Sequence, residues 1–126
     1  MGEILEMRLI ERVELDQGRI GALYRQLGAD GADNVMCRAM EELAVRMSLC
    51  RSLWQEGKTA QLRKNARSLI AISEQLGMKR LAQVAGDVTA CIDDRDSVAV
   101  SATLSRMLRT GERSLSAIWS MQERSL

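Results

Sequence analysis

Hydrophobic positions recur at helical spacing along most of the chain, and no segment alternates as a strand would. The pattern predicts five helices, here called A to E, over about residues 3–27, 34–56, 59–76, 78–92 and 97–122. Glycine or polar residues separate them, and the stretch GADGAD at 28–33 is the clearest break, with Asp33 or Asp30 expected to cap helix B. Connections this short favour antiparallel neighbours. We therefore expect an all-α fold in one domain spanning 1–126: an up-down-up-down four-helix bundle over about 33–122, with helix A as an additional N-terminal arm.

Helices B and C carry the most regular apolar stripes. The stripe of helix B steps by four and three residues in alternation, through Met36, Met40, Leu43, Met47, Cys50 and Trp54. The stripe of helix C consists of Leu62, Ala66, Leu69, Ser73 and Leu76. Gly77 follows it where a helix-ending glycine belongs. We interpret Trp54 and Trp119 as core side chains, and Gly111 as a break or kink in helix E.

Composition narrows the class of protein. The chain has 126 residues, 46% of them hydrophobic, and it contains no proline or phenylalanine, which suits long uninterrupted helices. The net charge of +1 gives no large single-sign field for binding nucleic acid or an anionic membrane. No stretch is long and apolar enough for a membrane span. We therefore expect a soluble, cytoplasmic protein.

Residue types needed for common enzyme chemistry are missing. The chain contains no histidine, which is the commonest general base and metal ligand. No Gly-rich phosphate loop or Ser-centred elbow occurs. Cys37, Cys50 and Cys91 lack metal-ligand spacing and are interpreted as buried, reduced thiols. The stretch DDRD at 93–96 is interpreted as a turn whose last aspartate caps helix E. We expect no enzyme activity, no cofactor and no metal site.

Helix C and the segment that follows it resemble the histidine-phosphotransfer (HPt) domain of bacterial two-component phosphorelays. The resemblance lies in the stretch ARSLIAISEQLGMKRLAQVAGDV. The family's motif on this helix reads approximately H-x-L-K-G-x-x-x-x-[LI]-G. The motif's leucine falls on Leu69, and its closing apolar–glycine pair falls on Leu76 and Gly77. An apolar residue of the following helix falls on Leu81. The resemblance implies an HPt-like four-helix bundle and a role in two-component signalling.

The three chemical positions of the motif are replaced. Arg67 stands at the place of the phosphorylated histidine, Ile70 at that of the lysine, and Ala71 at that of the glycine. A phosphorelay carrier needs an imidazole nitrogen, whereas arginine stays protonated and is not a substitute nucleophile. The chain therefore cannot relay phosphate by the family's mechanism.

The exposed side of helix C is the predicted partner-binding site. At 100° per residue, Arg67 lies opposite Leu69 and Ser73. The predicted site consists of Arg63, Arg67, Ile70, Ala71 and Glu74. The leading hypothesis is a non-catalytic, HPt-like signalling protein that binds a response-regulator receiver domain or a histidine kinase. The alternative for Arg67 is a solvated side chain without a partner-binding role, for which Glu74 and Glu56 are candidate ion-pair partners.

A second hypothesis is a helical dimerisation or adaptor module in which the HPt scaffold is purely structural. Helix A carries apolar residues on more than one side, namely Ile4, Leu5, Leu9, Ile10, Val13 and Leu15. A helix that is apolar on two sides has two surfaces to bury. One side can cover the bundle, and the other predicts a homodimer or the binding of a partner helix. The alternative is that helix A only caps a short bundle.

Overall fold

The computed structural model describes residues 2–124, apart from the side chains of residues 3, 6, 9, 11 and 124. Its helices are α1 Gly2–Val13, α2 Gln17–Gln55, α3 Thr59–Gln75, α4 Lys79–Asp93 and α5 Ser97–Arg124. Within residues 2–124 there is no strand, and an isolated bridge joins Leu15 to Met78. The predicted all-α fold class is confirmed. Leu9, one of the apolar residues of the predicted helix A, lies outside the described side chains.

The single N-terminal helix predicted over about 3–27 is wrong. α1 ends at Val13, Glu14 has a φ of 52°, and α2 begins at Gln17. Val13 and Leu15 are both buried. Residues two apart lie about 200° apart around a helix, so one straight helix could not bury both side chains. The turn at Glu14 changes the direction of the chain, so that both Val13 and Leu15 can be buried.

This turn is bonded to the connection between α3 and α4. The Asp16 backbone N–H donates to the Gly77 carbonyl at 2.7 Å, and the Lys79 N–H donates to the Glu14 carbonyl at 3.4 Å. The Arg80 Nη2 also donates to the Glu14 carboxylate at 2.7 Å. Backbone groups that neither turn could satisfy alone are therefore paired between the two turns.

The break predicted over 28–33 is confined to a kink at Gly28. Gly28 has φ 75° and ψ 170°, whereas the residues on both sides of it continue α2. Asp30 and Asp33, the predicted caps, lie inside the helix instead. The Tyr24 hydroxyl donates to the Asp33 carboxylate across the kink. This contact joins the two segments of α2, so a full loop is not needed.

The core lies between helices that follow one another in the chain. α3 packs against α2 and α4, and α4 packs against α3 and α5; α5 also contacts α2 and α1. The predicted stripe of helix C is confirmed, since all its members are buried: Leu62, Ala66, Leu69, Ser73 and Leu76. The stripe of helix B is also confirmed as core, with Met40 and Trp54 half-buried at its edges.

Two expectations for helix E are wrong. α5 runs through Gly111 without a break, and Gly111 is buried where α5 meets Met47. A Cβ at Gly111 would overlap the Met47 Sδ, so this glycine allows close packing of α5 on α2. Trp119 is not a core residue, because 57% of its surface is exposed. The predicted cap of this helix is confirmed: the Ala99 N–H donates to Asp96 Oδ1 at 3.0 Å.

Across residues 2–124, none of the helices has the combination of length and apolar composition that crossing a bilayer requires.

Gly57 and Gly77 end α2 and α3 in the same way, with φ of 73° and 72°, which provides a matched pair. At Gly57 a Cβ would meet open space, whereas at Gly77 it would lie 3.0 Å from the Asp16 carbonyl oxygen. We expect Gly57→Ala to cost roughly 1–2 kcal/mol through left-handed strain alone. Gly77→Ala should cost more, because it also pushes the Asp16 turn away. Urea unfolding of both variants measures the difference, and equal losses would contradict the close approach.

Candidate functional site

The predicted site residues lie together along the solvent side of α3. They are named here the α3 face: Arg63, Arg67, Ile70, Ala71 and Glu74. Arg67, Ala71 and Glu74 are exposed, whereas Arg63 and Ile70 are half-buried. Ile70 packs against the core at the edge of the face. The opposite side of α3 is buried, so the helix cannot rotate to present other residues without exposing its core stripe.

Arg63 is held by a carboxylate from the end of α4. Its Nε and Nη2 donate to Asp93 Oδ1 and Oδ2 at 2.7 and 2.9 Å. This two-point geometry matches the planar guanidinium to the planar carboxylate. The pair joins the first turns of α3 to the last turn of α4 and fixes one edge of the α3 face.

The pKa directions agree with this geometry. The hydrogen bond from Arg63 holds the pKa of the Asp93 carboxyl below its usual value, and the nearby charge of Arg67 lowers it further by a smaller amount. The hydrogen bond to Asp93 also raises the pKa of Arg63. Asp93 is more than half exposed and Arg63 about one-third exposed, so water screens the pair, which orients Arg63 more than it stabilises the fold.

The charge of Arg67 lowers the pKa of the Asp93 carboxyl, but Arg67 does not form a hydrogen bond or an ion pair with it. Within the described part of the chain, Arg67 has no hydrogen bond or ion pair. The alternative pairing with Glu74 or Glu56 is absent among these residues, and Glu56 pairs with Lys58 at 3.1 Å instead. Since Arg63 already occupies the Asp93 carboxylate, the guanidinium donors of Arg67 remain available to a partner.

Positive charge is concentrated in the first half of α3. Arg63, Lys64 and Arg67 lie there, and Glu74 is the one acidic residue of the helix. Only Arg63 has its charge offset by a close carboxylate among the described residues. The α3 face therefore presents a cationic half followed by an apolar and acidic half, which suits an acidic surface with an apolar rim.

Sequence reasoning missed Asp93 as part of the site and interpreted it only as a turn residue. A signal was present: Arg63 and Asp93 are about equally far from the α3–α4 connection at Gly77. Two helices joined by a tight connection bring such positions side by side. Opposite charges at equal distances from a helical connection thus indicate a contact that periodicity alone does not show.

The expected burial of the three cysteines is confirmed for Cys50 alone. Cys50 is buried, Cys91 is half-buried and Cys37 is exposed. Burial raises the pKa of the Cys50 thiol to about 11, so this sulfur stays protonated near neutral pH. Among residues whose side chains are described, no three acidic or cysteine side chains converge as metal ligands would. The chain contains no histidine, so the α3 face presents guanidinium donors and no imidazole.

No family model, no curated protein and no solved structure matches this chain. The HPt resemblance and the partner-binding role of the α3 face therefore stay predictions.

The Arg63–Asp93 pair predicts a defined pH dependence. Because the folded pKa of Asp93 lies below its unfolded value, the pair stabilises the fold above the unfolded pKa. That contribution is lost as the pH falls through the folded pKa. Wild type should therefore be more stable than Asp93→Asn near neutral pH, and the difference should shrink in acid and at high salt.

Urea unfolding over a pH series measures this difference. Asp94→Asn is the matched control, since Asp94 is an exposed neighbour without an ion pair in the described region. If both variants show the same pH dependence, Arg63 does not hold the Asp93 carboxylate in solution.

Proposed function

We propose that this chain is a non-catalytic, HPt-like signalling module that binds a receiver domain or a histidine kinase without relaying phosphate. In this proposal α2 to α5 form the antiparallel, up-down-up-down bundle, and α1 is the additional N-terminal helix. The module acts in the bacterial cytoplasm, where two-component partners reside. It blocks or titrates its partner by occupying the partner's docking surface.

The observation that carries the proposal is the state of Arg67. This residue stands at the motif's histidine position, is exposed, and has no bonded partner in the described part of the chain. A guanidinium there can donate two hydrogen bonds to a carboxylate. In the HPt family the histidine at this position approaches the acidic pocket of a receiver. In the proposed contact, the Arg67 guanidinium pairs with a receiver carboxylate at the position where the family has a histidine that accepts the phosphoryl group.

The flanking residues support docking rather than chemistry. Ile70 gives the rim of the face an apolar side chain where the family has a lysine, and Ala71 keeps the surface shallow beside Arg67. Arg63, oriented by Asp93, provides a fixed edge. Pre-oriented side chains lose less conformational freedom on binding, which favours specific association.

Substitution of Arg67 tests the docking surface. We expect Arg67→Ala to weaken binding to a cognate receiver about tenfold or more, since hydrogen bonds to charged groups are among the stronger polar contacts. Arg67→Glu should abolish binding, because it places like charges together. Isothermal titration against purified receivers from the same cell measures both effects, with receiver phosphorylation kinetics as the functional readout.

Arg106→Glu is the matched control, because Arg106 is an exposed arginine on α5, away from the α3 face. It should bind as wild type does. If no receiver or kinase binds, or if both arginine reversals weaken binding equally, docking through the α3 face is wrong.

Restoring the family's three chemical residues tests the HPt scaffold itself. The triple variant Arg67→His, Ile70→Lys, Ala71→Gly should accept a phosphoryl group from a phosphorylated receiver that binds wild type. Ile70 lies at the edge of the core, and a lysine there can extend its ammonium to solvent. Acid-labile, alkali-stable labelling of the triple variant supports the proposal. A folded triple variant that binds the receiver but takes no label argues against an HPt-like docking geometry.

The second candidate function, an adaptor or dimerisation module, is favoured by a different observation. Ile4 and Leu5 of α1 are more than half exposed although α1 packs against α4 and α5. Its remaining apolar side is therefore available to another surface, which does not involve the α3 face.

A further inference from the structure

An open apolar groove runs between α2 and α5. Cys37, Met40 and Ala44 line it from α2, and Leu115 and Trp119 line it from α5. The groove encloses about 590 Å³, and Trp119 remains 57% exposed at its wall. A contiguous apolar surface with a large exposed aromatic residue is typical of an interaction site.

α1 offers an exposed apolar surface. Its side away from the bundle carries Ile4 and Leu5, which are 59% and 64% exposed, together with Met7. A helix of twelve residues is about 18 Å long, enough to lie along several turns of two flanking helices. An amphipathic helix in a groove between two helices is a recurring binding mode.

The two surfaces carry one pair of opposite charges that can meet, Arg8 on α1 and Glu41 in the groove, while α1 also contains glutamates at positions 3, 6 and 11. Among the residues whose side chains are described, Glu41 is the one carboxylate lining the groove. Glu112 lies one turn before Ser116 on α5. Arg8 and Arg12 are exposed on α1, and Arg8 lies one turn after Ile4. Neither Glu41 nor Arg8 takes part in an ion pair among the described side chains. A helix seated with Ile4 in the groove can bring Arg8 to Glu41.

The α1 of the same chain does not reach this groove. It lies against α4 and α5, whereas the groove is formed by α5 and α2. A second copy can supply the helix instead. In a two-fold dimer each copy gives its α1 and receives its partner's, so the contact forms twice. Doubling the contact raises the buried surface toward the roughly 800 Å² per partner that stable interfaces need.

We propose that the α2–α5 groove binds the exposed side of α1 from a second copy, giving a reciprocal homodimer in which Arg8 of each copy pairs with Glu41 of the other. The groove is separate from the α3 face, so the dimer can exist whether or not the proposed receiver docking does.

Charge reversal gives a sharp test, read by sedimentation equilibrium. Wild type should be a dimer. Arg8→Glu alone and Glu41→Arg alone should each raise the dimer dissociation constant about tenfold or more, because like charges then meet in both copies of the contact. An equimolar mixture of the two variants should regain the dimer. In the mixed pair the two substituted side chains, which carry opposite charges, face each other at one contact, and the native Arg8 meets the native Glu41 at the other.

The double variant Arg8→Glu, Glu41→Arg should also dimerise with itself. Reversal at Arg106, which is exposed on α5 outside the groove lining, is the control and should leave the dimer intact. Trp119 fluorescence provides a second readout, since burial in the dimer should shift its emission to shorter wavelength and dilution should reverse the shift. A monomeric wild type overturns the proposal, as does a mixture of single variants that stays monomeric while each variant keeps its helical circular dichroism.

Discussion

The contact between the turn at Glu14–Asp16 and the connection at Gly77–Met78 is the constraint on which the rest of the fold depends. Each turn leaves backbone groups that its own helix cannot satisfy, and the two turns pair them with each other. Gly77 favours this approach, because it takes a left-handed φ and because a Cβ there would lie 3.0 Å from the Asp16 carbonyl oxygen. The same residue ends α3, so the position of the N-terminal segment and the length of α3 are set together.

With its end fixed, α3 has one rotation that buries its apolar stripe, and this rotation sends Arg67 to solvent. The electrostatic arrangement then follows from which helix lies beside α3. α4 returns alongside α3 and brings Asp93 to Arg63, and a carboxylate held by one arginine cannot also hold the next. Arg67 is thus left without a carboxylate partner in the described part of the chain, and its exposed guanidinium can bind a partner's carboxylate.

The periodicity of hydrophobic residues predicted the features that depend on a single helix, namely its buried side and its end. The stripes of Leu62 to Leu76 and of Met36 to Cys50 were sufficient to place α3 and the longer part of α2, and Gly77 was identified as a helix end. Contacts between distant segments were not predictable in this way. The break after Val13 arises because Leu15 must also be buried, and the Asp93 contact arises from the return of α4. Trp119, which lies near a helix end, was assigned to the core. In the structure it is exposed at the groove, about two helical turns from the close approach of α5 to α2 at Gly111.

The two proposed surfaces lie on different helices: the α3 face lies on α3, and the groove lies between α2 and α5. α3 covers one flank of α2, and the groove lies on the other flank, toward α5. A dimer formed through the groove would therefore leave both copies of the α3 face exposed and connected through rigid helices. A partner that carries two receivers could engage both faces at once, and the second contact would form at a high effective concentration. Modest affinity at each Arg67 would then be enough for stable binding of such a partner.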